Sequence, residues 1–229
     1  MLSVKDLVVT FGQNRVLNEL SLQLENKKVY GLIGFNGAGK TTLLKAIQGI
    51  VSKEKGEIHW NNRKLQRKDL AYLETQNFFY SHITGREYLS LFPAPDSSFK
   101  IDLWQELFKL PLDEFVEDYS TGMKKKLALL GILKMDKSLI FLDEPYNGVD
   151  LETSRILGIL IEKLKEKGKT ILITSHILET LTNNCDHILY LEEGKIQKTF
   201  DKNQLENLDK EIFHLMEANS TQLINKVLK

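Results

Sequence analysis

The stretch Gly34-Phe35-Asn36-Gly37-Ala38-Gly39-Lys40-Thr41-Thr42 constrains this 229-residue chain more than any other. It follows an apolar run, Val29 to Ile33. It precedes a helical pattern in which Leu43, Leu44, Ile47 and Ile50 share one side. G-x-x-x-x-G-K-[ST] between a strand and a helix has a physical reading as a phosphate loop. Glycines let the backbone curl so that successive N–H groups face one anion. Lys40 neutralises β/γ-phosphate oxygens, Thr41 offers a hydroxyl to Mg²⁺, and the helix beyond turns its positive N-terminus on the same charge. Asn36, Gly37, Ala38, Gly39 and Thr42 complete the set expected to bind nucleotide. The motif by itself does not separate ATP from GTP, or a kinase from an ATPase.

A second constellation closes the segment Leu139-Ile140-Phe141-Leu142-Asp143-Glu144-Pro145. Four apolar residues in a row fit a strand buried on both faces of a parallel sheet. Ligands of such sheets bind beyond the carboxyl ends of the strands, where Asp143 and Glu144 fall. Beside a phosphate loop, Asp143 suits Mg²⁺, directly or through water, and Glu144 suits polarisation of the attacking water.

Around these anchors the chain alternates. Val16, Leu20, Leu22 and Leu24 fall on even positions, as in a half-buried strand, and Gly56 to Trp60 starts another. Residues 78–135 change character. Leu103, Trp104, Leu107 and Phe108 form a helical stripe with Asp102 as N-cap, and a second helix runs from about Gly122 through Leu127, Leu130 and Leu133. Beyond it, Leu157, Leu160, Ile161 and Leu164 make a helix face closed by Gly168. Thr170 to Thr174 reads as a buried strand, and Glu193-Gly194 as the turn of a hairpin. The alternation implies an α/β fold with a largely parallel sheet and a mostly helical insertion. The expected division is a core of 1–77 and 136–229, a helical subdomain over 78–135, and a helical tail over 205–229.

Composition excludes several classes. Lys plus Arg equals Asp plus Glu at 31 each, so no global basic field draws the chain to nucleic acid, and none is expected as a partner. The longest apolar runs are far below the roughly 18 residues that a membrane span needs, and Met1 to Thr10 lacks the build of a signal peptide. A single cysteine, Cys185, rules out an internal disulfide and fits a reducing compartment. The expectation is a cytoplasmic chain that meets a membrane only through a partner.

Tyr119-Ser120-Thr121-Gly122-Met123-Lys124 resembles the LSGGQ signature of ABC ATPases in the variant form of exporter subunits. Ser120 and Gly122 survive, while Tyr119, Thr121 and Met123 replace the Leu, one Gly and the Gln. Asn147-Gly148-Val149-Asp150 resembles the D-loop, and Ser175-His176 the switch histidine. Phe11, 23 residues before Gly34, matches the aromatic that stacks on adenine, with Val16 grouped as a nucleotide contact. The family's glutamine after a strand has no clean match in Tyr72-Leu73-Glu74-Thr75-Gln76-Asn77. Counting places the slot at Thr75, and Gln76 is the residue assigned to sense metal and γ-phosphate. The resemblance covers nearly the whole chain in the family's order.

That resemblance implies a P-loop NTPase core with a mostly parallel sheet, an antiparallel β subdomain and a helical insertion, and an ATPase subunit of a membrane transporter, with ATP and Mg²⁺ as cofactors. Two domains would pair head to tail, a homodimer being the simpler case. Ser120 and Gly122 would meet the γ-phosphate bound by the other copy, Asp150 would connect the two sites, and His176 would stabilise the transition state beside Lys40 and Glu144. The variant signature points to export. Phe78-Phe79-Tyr80 is read as a docking surface for a membrane subunit or as packing within the insertion, and Lys124-Lys125-Lys126 as a solvated helix face. Alternatives are a non-transport ABC ATPase acting on ribosome or DNA, or another P-loop enzyme such as a small-molecule kinase, for which no phosphate-acceptor site is visible.

Overall fold

The computed structural model describes residues 1–96 and 99–207. The chain begins with strands β1 (Leu2–Phe11), β2 (Asn14–Leu24) and β3 (Val29–Ile33), then helix α1 (Lys40–Gln48). Strands β4 (Lys55–Trp60), β5 (Arg63–Lys64) and β6 (Leu70–Leu73) lead into helices α2 (Gly85–Ser90), α3 (Ile101–Phe108) and α4 (Thr121–Lys134). Strand β7 (Leu139–Asp143), helix α5 (Leu151–Glu166), strand β8 (Thr170–Thr174), helix α6 (Leu178–Asn184) and the hairpin of β9 (His187–Glu192) and β10 (Lys195–Asp201) complete it. A 3-10 turn, Lys202–Asn207, follows. The rest of the helical tail expected over 205–229 lies outside the described residues.

Two sheets result. An antiparallel sheet has the order β2-β1-β4-β5. The second has the order β10-β9-β3-β8-β7-β6, with parallel pairing from β9 through β6 and only β10 antiparallel. The Asn18 amide joins them by donating to the Gly194 carbonyl at 3.0 Å. The parallel strands read as unbroken apolar runs because both faces are covered. In β7, Leu139 and Phe141 join the cluster over α1 and the antiparallel sheet. Ile140 and Leu142 join the opposite cluster with Leu127 and Leu130 of α4 and Leu157 and Ile161 of α5.

Local detail departs from the simple periods in three places. In β2 the alternation slips at Glu19, which takes φ 53, and one extra residue is accommodated between the pairs Leu7↔Leu20 and Val9↔Leu17. Leu17, not Val16, therefore enters the core, and Val16 is turned out of it. Helix α1 stops at Gly49, φ 77, so Ile50 is left 46% exposed beyond it. In α3 the N-cap is Lys100 rather than Asp102, which sits in the first turn. Of the stripe only Phe108 is buried, and Leu103 and Leu107 face outward.

Helix α2 carries a start signal that the motif reading passed over. Thr84 accepts from the Glu87 amide, and the Glu87 carboxylate returns a bond to the Thr84 amide at 2.7 Å, a capping box. Gly34, where β3 leaves the sheet, has no room for a side chain, because a Cβ there would overlap the Leu191 carbonyl oxygen of the neighbouring strand. Gly34→Ala is expected to cost about 1–3 kcal/mol of stability, the range for overpacking a close contact. Urea denaturation would check it; an unchanged midpoint would mean that β9 yields freely.

Candidate functional site

The site forms where β3, β7 and β8 end together. The phosphate loop leaves β3, Asp143 and Glu144 close β7, and Ser175-His176 follow β8. Gly37 at φ 84 and Gly39 at φ 104 take backbone conformations that side-chain-bearing residues rarely adopt, which gives the loop its curl into α1. A cleft of about 720 Å³ opens there. Its lining includes Asn36, Gly37, Gly39, Lys40, Thr41, Thr42, Asp143, Glu144 and His176, together with Phe11, Asn14, Val16, Thr75 and Asn147.

Asp143 is almost fully buried, and three hydroxyls satisfy it. Thr41 Oγ1 donates to Oδ2 at 2.9 Å, Tyr72 donates to the same oxygen at 3.2 Å, and Thr174 Oγ1 donates to Oδ1 at 2.6 Å. A buried carboxylate needs such partners or a cation. Burial and the neighbouring Asp143 charge raise the Tyr72 phenol, so it remains a donor. Lys40 Nζ lies on the loop itself, donating to the Gly34 and Phe35 carbonyls at 2.7 and 3.2 Å. Burial pulls this ammonium below the ordinary lysine range, and the charges of Glu144 and Asp143 pull it partly back.

Glu144 is held from several sides. Its φ of 51 is unusual for a residue that carries a side chain and precedes proline. Such conformations cost about 1–3 kcal/mol and persist only where the surroundings enforce them. The Thr174 hydroxyl accepts from the Glu144 amide at 2.9 Å, and His176 Nδ1 lies 2.8 Å from Oε2. One threonine thus fixes both acidic residues. The arrangement presents a cation, a hydroxyl–carboxylate pair and a histidine-bound carboxylate on one concavity.

The Ser120–Gly122 segment stands apart. The lining of the cleft includes neither Ser120 nor Gly122. Ser120 caps α4, accepting from the Met123 amide at 3.2 Å. Tyr119, at the usual leucine position, is buried, and its hydroxyl donates to the Pro111 carbonyl at 2.6 Å. Burial pushes that phenol up to about 12. Asp150 caps α5, accepting from the Thr153 amide at 2.7 Å, which with Lys126 nearby holds its carboxyl down at about 2. Ala38 is in the loop but does not line the cleft. Thr75 lines it, whereas Gln76 lines two adjoining pockets, one shared with Thr41 and Asp143.

The lysine run is not a solvated face. Lys124 Nζ donates to the Glu117 carbonyl at 3.1 Å and Lys126 pairs with Asp150 at 3.5 Å. Lys125 is buried and donates to the Glu144 and Asn147 carbonyls. The aromatic trio splits: Phe79 packs on Tyr88 with ring centroids 4.9 Å apart, while Phe78 and Tyr80 stay exposed. Among the functional candidates, Asn14, Asn147, Tyr72, Thr174 and Lys125 were not singled out as site residues from the sequence. None was named as a group expected to touch nucleotide, although Tyr72 opens the stretch quoted for the glutamine slot and Asn147 opens the D-loop stretch.

A phosphate loop at the end of β3 and paired carboxylates at the end of β7 on a parallel sheet define a P-loop nucleotide hydrolase. The ABC transporter family profile matches residues 17–147. The lantibiotic transport ATP-binding protein SrtF of Streptococcus pyogenes is 33% identical over 223 residues, 93% of this chain and 96% of that protein. The ABC transporter ATP-binding protein YtrB of Bacillus subtilis (strain 168) is 30% identical over 214 residues, 90% of this chain and 73% of that one. Among solved structures, an ATP-binding subunit of an ABC transporter superposes with a TM-score of 0.84 at 27% identity, covering 100% of both chains. A dimeric cassette in a post-hydrolysis state with ADP and Pi has the same fold, with a TM-score of 0.77 at 20% identity, over 88% of this chain and 99% of that one. The chain belongs to the ABC transporter family, as an ATP-binding subunit with ATPase activity.

Proposed function

We propose that this subunit drives a membrane-spanning exporter partner from the cytoplasmic face by ATP-dependent pairing, two identical copies meeting head to tail. The observation that carries the reading is the separation of the two half-sites. Lys40, Thr41, Asp143, Glu144 and His176 share one cleft, while Ser120 and Gly122 lie outside its lining at the start of α4. A signature so placed meets the γ-phosphate only from a second copy, with the N-terminal dipole of the 14-residue helix α4 behind it. Asp150, exposed beside the signature, serves the contact between the copies. ATP then holds the pair together, and its hydrolysis releases it.

Magnesium fits the donors present. Thr41 Oγ1 and Asp143 Oδ2 are hard oxygen ligands that converge beside the phosphate loop. Among the described residues no three His, Cys, Asp or Glu groups cluster as a metal cage, and Mg²⁺ is ordinarily bound by one or two carboxylates with substrate phosphates. Thr41 and Asp143 would hold it, with Gln76 approaching from the adjoining pocket and Thr75 on the nucleotide side; when bound, it neutralises phosphate charge. Lys40 binds the β/γ oxygens, Glu144 takes the proton of the attacking water, and His176 orients Glu144. Phe11 stacks on the base beside Val16.

A membrane-spanning partner supplies the membrane role; among the described residues no helix is long and apolar enough to cross a membrane. Exposed Phe78 and Tyr80 supply an aromatic docking patch of the kind that interfaces favour. The export direction rests on the variant signature, and SrtF, a lantibiotic transport protein, is among the relatives. Light scattering on Glu144→Gln with and without MgATP tests the pairing. The expected result is a mass that doubles only with MgATP; a protein that binds ATP and stays monomeric, alone and with its membrane partner, would overturn it.

A further inference from the structure

Among the described residues Lys125 is the only buried lysine, and it spends its ammonium on backbone. It donates to the Glu144 carbonyl and to the Asn147 carbonyl, the latter at 3.0 Å. These carbonyls bracket one turn, closed by the Asn147 amide donating to the Glu144 carbonyl at 3.2 Å. Burying a cation is costly unless its hydrogen bonds are made, so the contact is specific rather than incidental. Burial lowers the Lys125 ammonium, and the charges of Glu144 and Asp143 offset part of that.

The geometry around Glu144 gives this contact a purpose. On the N-terminal side its amide is tied to Thr174 Oγ1 at 2.9 Å. On the C-terminal side its carbonyl is tied to Lys125. With both flanking peptide groups held, the left-handed backbone is fixed, and with it the direction in which the carboxylate leaves the chain. Helix α4 also closes on the same turn at Gly122, where a Cβ would stand 3.2 Å from the Gly148 carbonyl oxygen. A shift of α4 therefore pulls on the peptide that aims Glu144.

We propose that Lys125 is a positioning residue, which ties the carboxylate of Glu144 to the helix that carries the signature and so makes hydrolysis sensitive to where that helix sits. The proposal rests on the reading of Glu144 as the group that takes the proton of the attacking water. The Thr174 contact holds only the amide side; on the carbonyl side the turn bond from the Asn147 amide fixes the turn locally, and the lysine adds the tie from that turn to α4.

The test compares steady-state hydrolysis and MgATP binding for Lys125→Met, Lys125→Gln and the control Lys134→Met, on the same helix but outside the signature, in the full chain. Lys125→Met removes the donors and keeps the bulk. Its kcat is expected to fall about 10²-fold, the effect of misplacing a reacting group by about 1 Å. KM and MgATP affinity stay within about threefold, since the interaction is not one with bound substrate. Lys125→Gln, which keeps an N–H donor, restores most of kcat, and Lys134→Met behaves as the parent protein. Wild-type kcat in Lys125→Met while Glu144→Gln is inactive overturns the positioning role and leaves the Glu144 reading intact. Joint loss of kcat and ATP affinity without recovery in Lys125→Gln also overturns it, as a purely structural role. Normal hydrolysis by Glu144→Gln removes the underlying reading, and the proposal falls with it. Should Lys125→Met not fold, Lys125→Ala is judged by the same criteria.

Discussion

Glu144→Gln is expected to retain MgATP binding and to hydrolyse it about 10²–10⁴-fold more slowly, the range contributed by a positioned general base. The amide has the shape of the carboxylate, and the features that place residue 144 do not depend on its charge. Those are the left-handed backbone before Pro145, the amide bond to Thr174 and the carbonyl bond to Lys125. What the substitution removes is the basic oxygen that now lies 2.8 Å from His176 Nδ1. Rapid-quench measurement of phosphate release, beside equilibrium binding of ATP, separates the two effects. Release at the parent rate would move the proton-accepting role elsewhere, with His176 the nearest alternative.

Lys40→Ala is expected to lose most affinity for ATP. Removing one partner from a desolvated charged contact costs about 2–5 kcal/mol, which corresponds to a Kd raised by roughly 30- to 5,000-fold. In the structure the ammonium is bound by the Gly34 and Phe35 carbonyls, two points on the loop that it would also brace around a phosphate. Because burial already disfavours its charge, the alanine variant should not lose fold stability through the missing cation. Isothermal titration with ATP decides the matter, and thermal melting of the same sample controls for folding. Parent-like affinity would mean that Gly34 to Thr42 is not the phosphate loop.

Much of this site is legible in the sequence. The loop from Gly34 to Thr42 and the pair Asp143-Glu144 are each contiguous, and each follows a short apolar run of the kind a strand buried on both faces shows. Their convergence follows from a parallel sheet, whose strands end on one side. The same holds for the hairpin at Glu193-Gly194, with φ 48 and 72 at the two turn residues. Less visible was Thr84 as the cap of α2, although Glu87 three residues on supplies the signal.

Other features depend on residues that meet only in the folded chain. Val16 and Leu17 exchange faces because β2 gains a residue at Glu19, and a bulge reverses every side chain beyond it while leaving the composition of the strand unchanged. Lys125 sits in a run of three lysines that reads as solvent-facing; only the approach of α4 to the turn after β7 shows that the middle one is buried on carbonyls. Tyr72 and Thr174 stand 71 and 31 positions from Asp143, and no local pattern marks them as its donors. By itself the sequence pointed to the chemistry of this protein, ATP binding and hydrolysis, because a phosphate loop is a short, contiguous motif on a periodic scaffold. The tertiary structure alone decided how the carboxylates are aimed, because the groups that orient them come from strands and helices far apart in the chain and leave no spacing to read.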